Sequence, residues 1–253
     1  MTSTQTNPRR TALITGANKG IGREIARQLG KLDHTVWVGA RDAERGDRAV
    51  AELRAEGIDA HALRLDVASD ASVKEAAATF ARSSQTLDVL VNNAGVVLGG
   101  YAPPSQTTLD NMRALYEVNT FGPVRVTQAF LPFLIAAGQA RIVMMSSSLG
   151  SIAEQLDMTS ASYGVNLLAY NSSKSALNMI TVSFAKELAA HGIKVNAANP
   201  GYVDTDLNDH QGYRSVEEGA RIAVRLATLG PAGPTAGFFH DGHVNELGGK
   251  HPW

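Results

Sequence analysis

Short apolar runs alternate with amphipathic stretches along the whole chain. The first run is Thr11–Thr15; beyond a glycine turn, Ile21, Ile25, Ala26 and Leu29 recur at helical spacing. The alternation then repeats: a strand at Thr35–Gly39 and a helix to about Glu56, a strand at Ala60–Val67 and a helix at Ala71–Arg82, a strand at Leu87–Val91. A long helical segment runs from about Leu109 to Ala137, followed by a strand at Arg141–Met145 and a helix at Tyr170–Ala190, whose apolar face is Ala176, Leu177, Ile180, Phe184 and Leu188. A strand at Ile193–Ala198, a helix at Val216–Leu229 and a strand around Gly237–Phe239 close the pattern. Residues 151–169 show no clear period. The run Leu87–Val91 is almost continuously apolar, which suits a sheet buried on both faces. Strand–helix alternation of this kind predicts an α/β, doubly wound parallel sheet flanked by helices.

The 253 residues suffice for one such domain with a well-buried core, taken as 10–253 behind a polar leader at 1–9. A net charge of −1 gives no footprint for nucleic acid or an anionic membrane, and no apolar run approaches a membrane span. The chain has no cysteine, which removes thiolate catalysis and fits a reducing compartment; a cytoplasmic location is expected.

The candidate chemistry collects at the ends of the predicted strands, where open α/β sheets bind ligands. Gly16, Asn18, Lys19, Gly20, Ile21 and Gly22 form a turn between strand and helix, where glycines let a diphosphate approach the helix N-terminus. Such a turn is also simply a good turn. After the second strand comes Ala40-Arg41-Asp42: Asp42 suits a helix N-cap, and Arg41 with Lys19 favours the 2′-phosphate of NADP(H), although Arg41 alone could be a solvated surface residue. Asp66 and Val67 end the third strand, the carboxylate placed for an adenine amino group. Asn93, Ala94 and Gly95 end the fourth. Asn119 sits inside the long helix, either as a break between two helices or as the anchor of a water behind Lys174. Three serines, Ser146 to Ser148, end the fifth strand, and any one could hydrogen-bond a substrate carbonyl. Tyr170 and Lys174 lie four apart on a helix, side by side, so the ammonium is expected to pull the phenol below its free value of about 10. His240, His243 and His251 lack metal-ligand spacing, and no metal is expected.

The segments TGANKGIG (Thr15–Gly22), LDV (Leu65–Val67), NNAG (Asn92–Gly95), Asn119, SSLG (Ser147–Gly150), YNSSK (Tyr170–Lys174) and NPGYVDTD (Asn199–Asp206) occur in this order. With them, the chain resembles the single-domain short-chain dehydrogenase/reductase family over nearly its whole length. The resemblance implies a Rossmann-like sheet of about seven strands and a catalytic tetrad of Asn119, Ser147, Tyr170 and Lys174. Tyr170 would be the general acid, Lys174 would tune it and hold the nicotinamide ribose, Ser147 would polarise the carbonyl, and Asn119 would anchor a relay water. The glycine turn, Arg41, Asp66, Val67, Asn93, Ala94, Gly95, Pro200, Gly201, Val203 and Thr205 would line the NADP(H) site. The implied activity is reduction of a ketone or aldehyde; a non-catalytic dinucleotide sensor is the alternative, and a longer sugar-nucleotide epimerase lacks room for its substrate domain. Most members place the serine nearer the tyrosine, whereas here the gap from Ser147 to Tyr170 is 23 residues. That insertion, the Ala40-Arg41-Asp42 turn and the Pro-Trp ending resemble the monomeric carbonyl reductases, which leaves monomer, homodimer and homotetramer open.

The substrate is expected to be a small molecule of hydrophobic character, held by residues 96–101, the insertion and a flap at 207–215, with Leu156, Met158, Leu167, Leu168 and Tyr202 as apolar candidates. His210 and Arg214 are the candidates to meet a substrate carboxylate.

Overall fold

Six of the seven strands of the sheet serve two cores at once. In the computed structural model, which describes residues 9–100, 102–241 and 250–253, seven parallel strands form one sheet in the order β3-β2-β1-β4-β5-β6-β7. They are β1 Thr11–Thr15, β2 Thr35–Ala40, β3 Ala60–Arg64, β4 Val89–Asn92, β5 Arg141–Met145, β6 Lys194–Asn199 and β7 Phe238–His240. Side chains alternate between the two faces: Ala12, Ile14, Val36, Val38, Val89 and Val91 join one core, and Leu13, Trp37 and Leu90 the other. A one-residue slip of β1 would exchange Leu13 for its neighbours and mismatch both cores, so burial fixes the register.

Helices α1 (Gly20–Lys31), α2 (Ala43–Ala55) and α8 (Val216–Ala227) cover the first face; α3 (Asp70–Ala81), α5 (Gly122–Ala136) and α7 (Leu168–Leu188) cover the second. The short helices α4 (Leu109–Tyr116) and α6 (Ile152–Leu156) belong to the loops above the sheet's carboxyl edge. Asp42 caps α2 as expected, its carboxylate accepting from Arg45 N at 2.9 Å, and Ser69, Thr108, Ser151 and Ser215 cap α3, α4, α6 and α8. No side chain caps α1.

The structure departs from the sequence reading in three places. The third strand stops at Arg64, so Asp66 and Val67 lie in the turn beyond it. The long helix is two helices joined by a π-turn, Glu117–Phe121, with Asn119 at its centre. The aperiodic insertion contains α6. The leader, Tyr101 and His243 fall wholly or largely outside the described residues. Among the described residues no helix is long and apolar enough to cross a membrane.

Candidate active site

The β1 end and the β4 end are stitched together before any ligand is considered. Thr15 Oγ1 accepts from the backbone N–H groups of Asn93 and Ala94, both at 2.9 Å, and Asn93 Nδ2 donates to the carbonyls of Thr15 at 2.9 Å and Gly16 at 3.3 Å. Thr15 was not singled out in the sequence; a hydroxyl ending a strand just ahead of the glycine turn is the signal that could have found it. Gly16 has φ +64°, and a methyl on Gly22 would press on Asn93 Nδ2 and come within 2.6 Å of the Gly16 carbonyl oxygen. The turn is thus a cradle only glycine can line, ahead of an uncapped helix. Asn18 and Ile21 lie half-buried within it.

Arg41 is exposed at the end of β2 and forms no ion pair with the described residues, while Lys19 is paired with Asp206 across the cleft instead of converging on Arg41. Asp66 is spent on its own turn, accepting from Ala68 N at 3.0 Å. Val67 and Val203 are buried, Val67 where a methyl on Gly122 would touch it and Val203 where one on Gly219 would. The turn after β6 crosses opposite the glycine loop: Gly201 has φ +77° with the Arg214 side chain laid over it, and Thr205 Cγ2 lies 3.7 Å from where a Gly20 Cβ would be. Pro200 stands half-buried at its start.

The structure separates the three serines. Ser146 is buried and donates to Asn178 Oδ1 at 2.6 Å, and Ser148 accepts from Ser162 Oγ at 3.0 Å. Ser147 stands close enough to the Tyr170 hydroxyl to influence its proton and caps the turn that follows, accepting from Leu149 N at 3.2 Å. Asn178, a second residue the sequence reading passed over, also donates to Gly150 O at 3.1 Å and so ties α7 to this turn. Lys174 is buried, its Nζ 5.6 Å from the centre of the Tyr170 ring and donating to Met145 O at 2.8 Å.

The electrostatics reverse one expectation. Burial pushes the Tyr170 phenol up to about 12, the Ser147 hydrogen bond working the other way, and burial pushes Lys174 down to about 8. The ammonium does not drag the phenol below its free value, because desolvation outweighs a cation whose Nζ is turned to a main-chain carbonyl.

Asn119 is fully buried and holds the loop after β4: Oδ1 accepts from Val96 N at 2.9 Å, and Nδ2 donates to Val96 O at 2.9 Å and Ser173 Oγ at 3.2 Å. Both amide protons are therefore used within the protein. Gly95 lies between the two polar groups: a Cβ there would sit 3.4 Å from Asn119 Oδ1 and 3.6 Å from Lys174 Nζ.

Beside Tyr170 a pocket is lined by Val97, Leu98, Ala102, Leu167, Leu168 and Ala169, with Gln106, Thr107 and Asn111 as its polar members. Residues 207–215 do not line it. Leu156 and Met158 are 75% and 77% exposed on the outside of the insertion, and Tyr202 is partnered by Tyr213 at 6.1 Å. The two candidate cations are committed to the chain's own carboxylates. His210 bonds Asp204 at 2.6 Å and Asp206 at 2.9 Å, and Arg214 bonds Asp241 at 2.9 Å.

A family model described as short chain dehydrogenase matches residues 10–214. Short-chain dehydrogenase anuI of Penicillium roqueforti is 38% identical over 225 residues, covering 86% of this chain and 88% of that protein. (+)-Neomenthol dehydrogenase of Arabidopsis thaliana is 33% identical over 294 residues, with 94% and 98% covered. The crystal structure of NADPH-bound carbonyl reductase from chicken fatty liver superposes with a TM-score of 0.80 at 30% identity, over 92% of this chain and 96% of that one.

Proposed function

For a chain that belongs to the short-chain dehydrogenase/reductase family of oxidoreductases, we propose an NADP(H)-dependent reduction of ketones or aldehydes to alcohols, with Tyr170 as general acid. The observation that carries this reading is the half-buried phenol of Tyr170, which interacts with Ser147, lies beside Lys174 and opens on the pocket that Val97, Leu98, Leu167 and Leu168 help to line.

NADPH would rest its diphosphate on the cradle of Gly16, Asn18, Lys19, Gly20, Ile21 and Gly22, which a methyl would fill, and supply the hydride. Asp66 and Val67 would border the adenine, Asn93, Ala94 and Gly95 the middle of the cleft, and Pro200, Gly201, Val203 and Thr205 its nicotinamide end. The choice of NADP(H) over NAD(H) has a local reason. The one carboxylate at the end of β2, Asp42, is occupied as a helix cap, and Arg41 beside it has no ion-pair partner among the described residues. The similar chicken structure is NADPH-bound, which agrees.

The protein's own share is a proton and a place to stand. The substrate oxygen would accept hydrogen bonds from Tyr170 and Ser147. A phenol held near 12 is fully protonated at neutral pH, so the acid is loaded before the carbonyl arrives, and negative charge developing on that oxygen draws the proton across. Lys174 would meet the ribose hydroxyls and refill Tyr170 through a water. That water would have to be held by a main-chain carbonyl of the π-turn, since the side-chain amide protons of Asn119 are taken. A chain without cysteine suits a reducing compartment, and a cytoplasmic location is part of the proposal.

Tyr170→Phe tests the assignment. Turnover of activated ketones should fall by about 10²–10⁴-fold, the range for loss of a general acid, while NADPH binding followed by fluorescence stays within about twofold. A variant retaining most of its activity would remove Tyr170 from the role. Running the same ketone panel with NADPH and NADH in parallel tests the cofactor choice; complete silence with tight NADPH binding would favour the sensor alternative.

A further inference from the structure

The insertion between Ser147 and Tyr170 is held from a distance. Helix α6 buries none of its five residues, and Ile152 and Leu156 are 62% and 75% exposed. A helix of under two turns with no buried face has neither length nor packing to keep its place. Its position must come from polar ties, and these converge from Lys250–Trp253, about a hundred residues further along.

That segment is well anchored. Phe239 and Lys250 form an antiparallel bridge, the His251 ring lies 4.8 Å from Phe238 and 4.5 Å from His240, and Trp253 stacks on Phe238 at 5.7 Å. From there it grips α6 at its first turn: Ser151 Oγ donates to Pro252 O at 2.8 Å, and Ala153 N donates to Trp253 O at 3.4 Å. His251 joins the insertion to the sheet. Its Nε2 accepts from Asn199 Nδ2, at the end of β6, at 2.7 Å; this puts the ring proton on Nδ1, which lies 3.4 Å from Glu154 Oε1. The other oxygen of Glu154 accepts from Ser160 Oγ, further along the insertion.

Two routes lead from α6 to the reacting residues. Gln155 Oε1 accepts from Asn171 Nδ2 at 3.1 Å, next to Tyr170, and the insertion ends in Leu167 and Leu168, which wall the pocket. Ser151 follows Gly150, so closely packed on α7 that a Cβ there would lie 2.7 Å from the Lys174 carbonyl carbon.

We propose that His251 is a positioning residue for the substrate pocket, relaying the end of β6 through Glu154 to the insertion whose far end is the pocket wall. The inference rests on the ketone-reductase reading. Its consequence is selectivity: a large ketone needs the wall where it stands, whereas a small one needs only Tyr170 and Ser147.

His251→Phe keeps a ring to pack on Phe238 but loses both polar bonds; His251→Gln offers an acceptor and a donor again. His251→Phe should raise KM for a bulky apolar ketone about tenfold, leaving KM for NADPH and kcat on a small ketone within about twofold. His251→Gln should restore much of the loss, and Glu154→Gln should add little to His251→Phe, since both break one relay. Unchanged KM across ketone sizes, or a uniform loss for all of them, would overturn the proposal. Amide exchange on the free protein gives a second readout that needs no turnover: His251→Phe should speed exchange across residues 152–168 while 170–188 stay as in the wild type. Unaltered exchange in 152–168 would overturn the tie itself. A wild type that reduces no ketone with NADPH would instead defeat the reductase reading, with the exchange result still deciding the tie.

Discussion

Burial moves the two ends of the Tyr170–Lys174 pair in opposite directions, and both shifts favour the neutral form. The phenol goes up to about 12 and the ammonium comes down to about 8. Tyr170 keeps an edge on the pocket, so the direction of its shift carries the argument: the free protein is set up to give a proton rather than to take one. Lys174 adds a pH limit. Its ammonium, which the proposed mechanism assigns to the ribose, is present below about pH 8 and lost as the pH rises through that value. On the proposed mechanism kcat/KM for NADPH, which reports the free enzyme, should fall by about tenfold per pH unit above that point. A profile flat to pH 10 would mean that the ammonium is not required or that its proton is held far more tightly.

Among the elements, the junction of β1, the glycine turn and the end of β4 bears the most constraint. Asn93 bonds the Thr15 and Gly16 carbonyls, and Gly22 leaves that amide just enough room. Gly22→Ala should therefore part the two strand ends, costing about 1–3 kcal/mol by overpacking and weakening NADPH binding more than tenfold. Denaturant midpoints and nucleotide titration check both; a variant with wild-type affinity would show that the cradle tolerates a methyl. The strand and helix pattern around this junction was legible because each strand alternates between two cores and each helix carries one apolar stripe. The Tyr170–Lys174 pair was legible for a related reason, four residues being one turn. The π-turn at Asn119 was not, since widening a single turn leaves the apolar spacing on either side almost unchanged. Nor could spacing choose among Ser146, Ser147 and Ser148, because the choice depends on Asn178 and Ser162 arriving from elsewhere. The pairing of Lys19 with Asp206, 187 residues apart, is of the same kind. The sign of the phenol's shift was misjudged because spacing registers a neighbouring charge but not the loss of water around it.

For the whole molecule, pH acts on stability through histidines in two separate windows. His34, buried after α1, places Nδ1 3.1 Å from the carbonyls of both Leu29 and Leu32 and leaves Nε2 without a partner. Burial lowers its pKa from 6.5, and burial and His240 do the same to His251. In each case the unfolded chain takes up the proton first, so stability is whole above 6.5 and is lost as the pH falls below it, by up to about 1.4 kcal/mol per pH unit for each proton. His210 works in the opposite sense, because its bonds to Asp204 and Asp206 raise its pKa; the stability it gives is present below 6.5 and fades as the pH rises through its folded value. The carboxylates with lowered values, Asp206, Asp157, Glu56 and Glu217, give stability that is whole above their ordinary 3.8 to 4.5 and is lost only as the pH falls below it. The interval from pH 6.5 to 5 therefore belongs to the two buried histidines. Urea midpoints should drop across it, and His34→Gln should flatten the drop even if it costs stability at pH 8. If the variant keeps the wild-type slope, the proton uptake lies elsewhere, and the unpartnered Nε2 of His34 is not what makes the fold acid-sensitive.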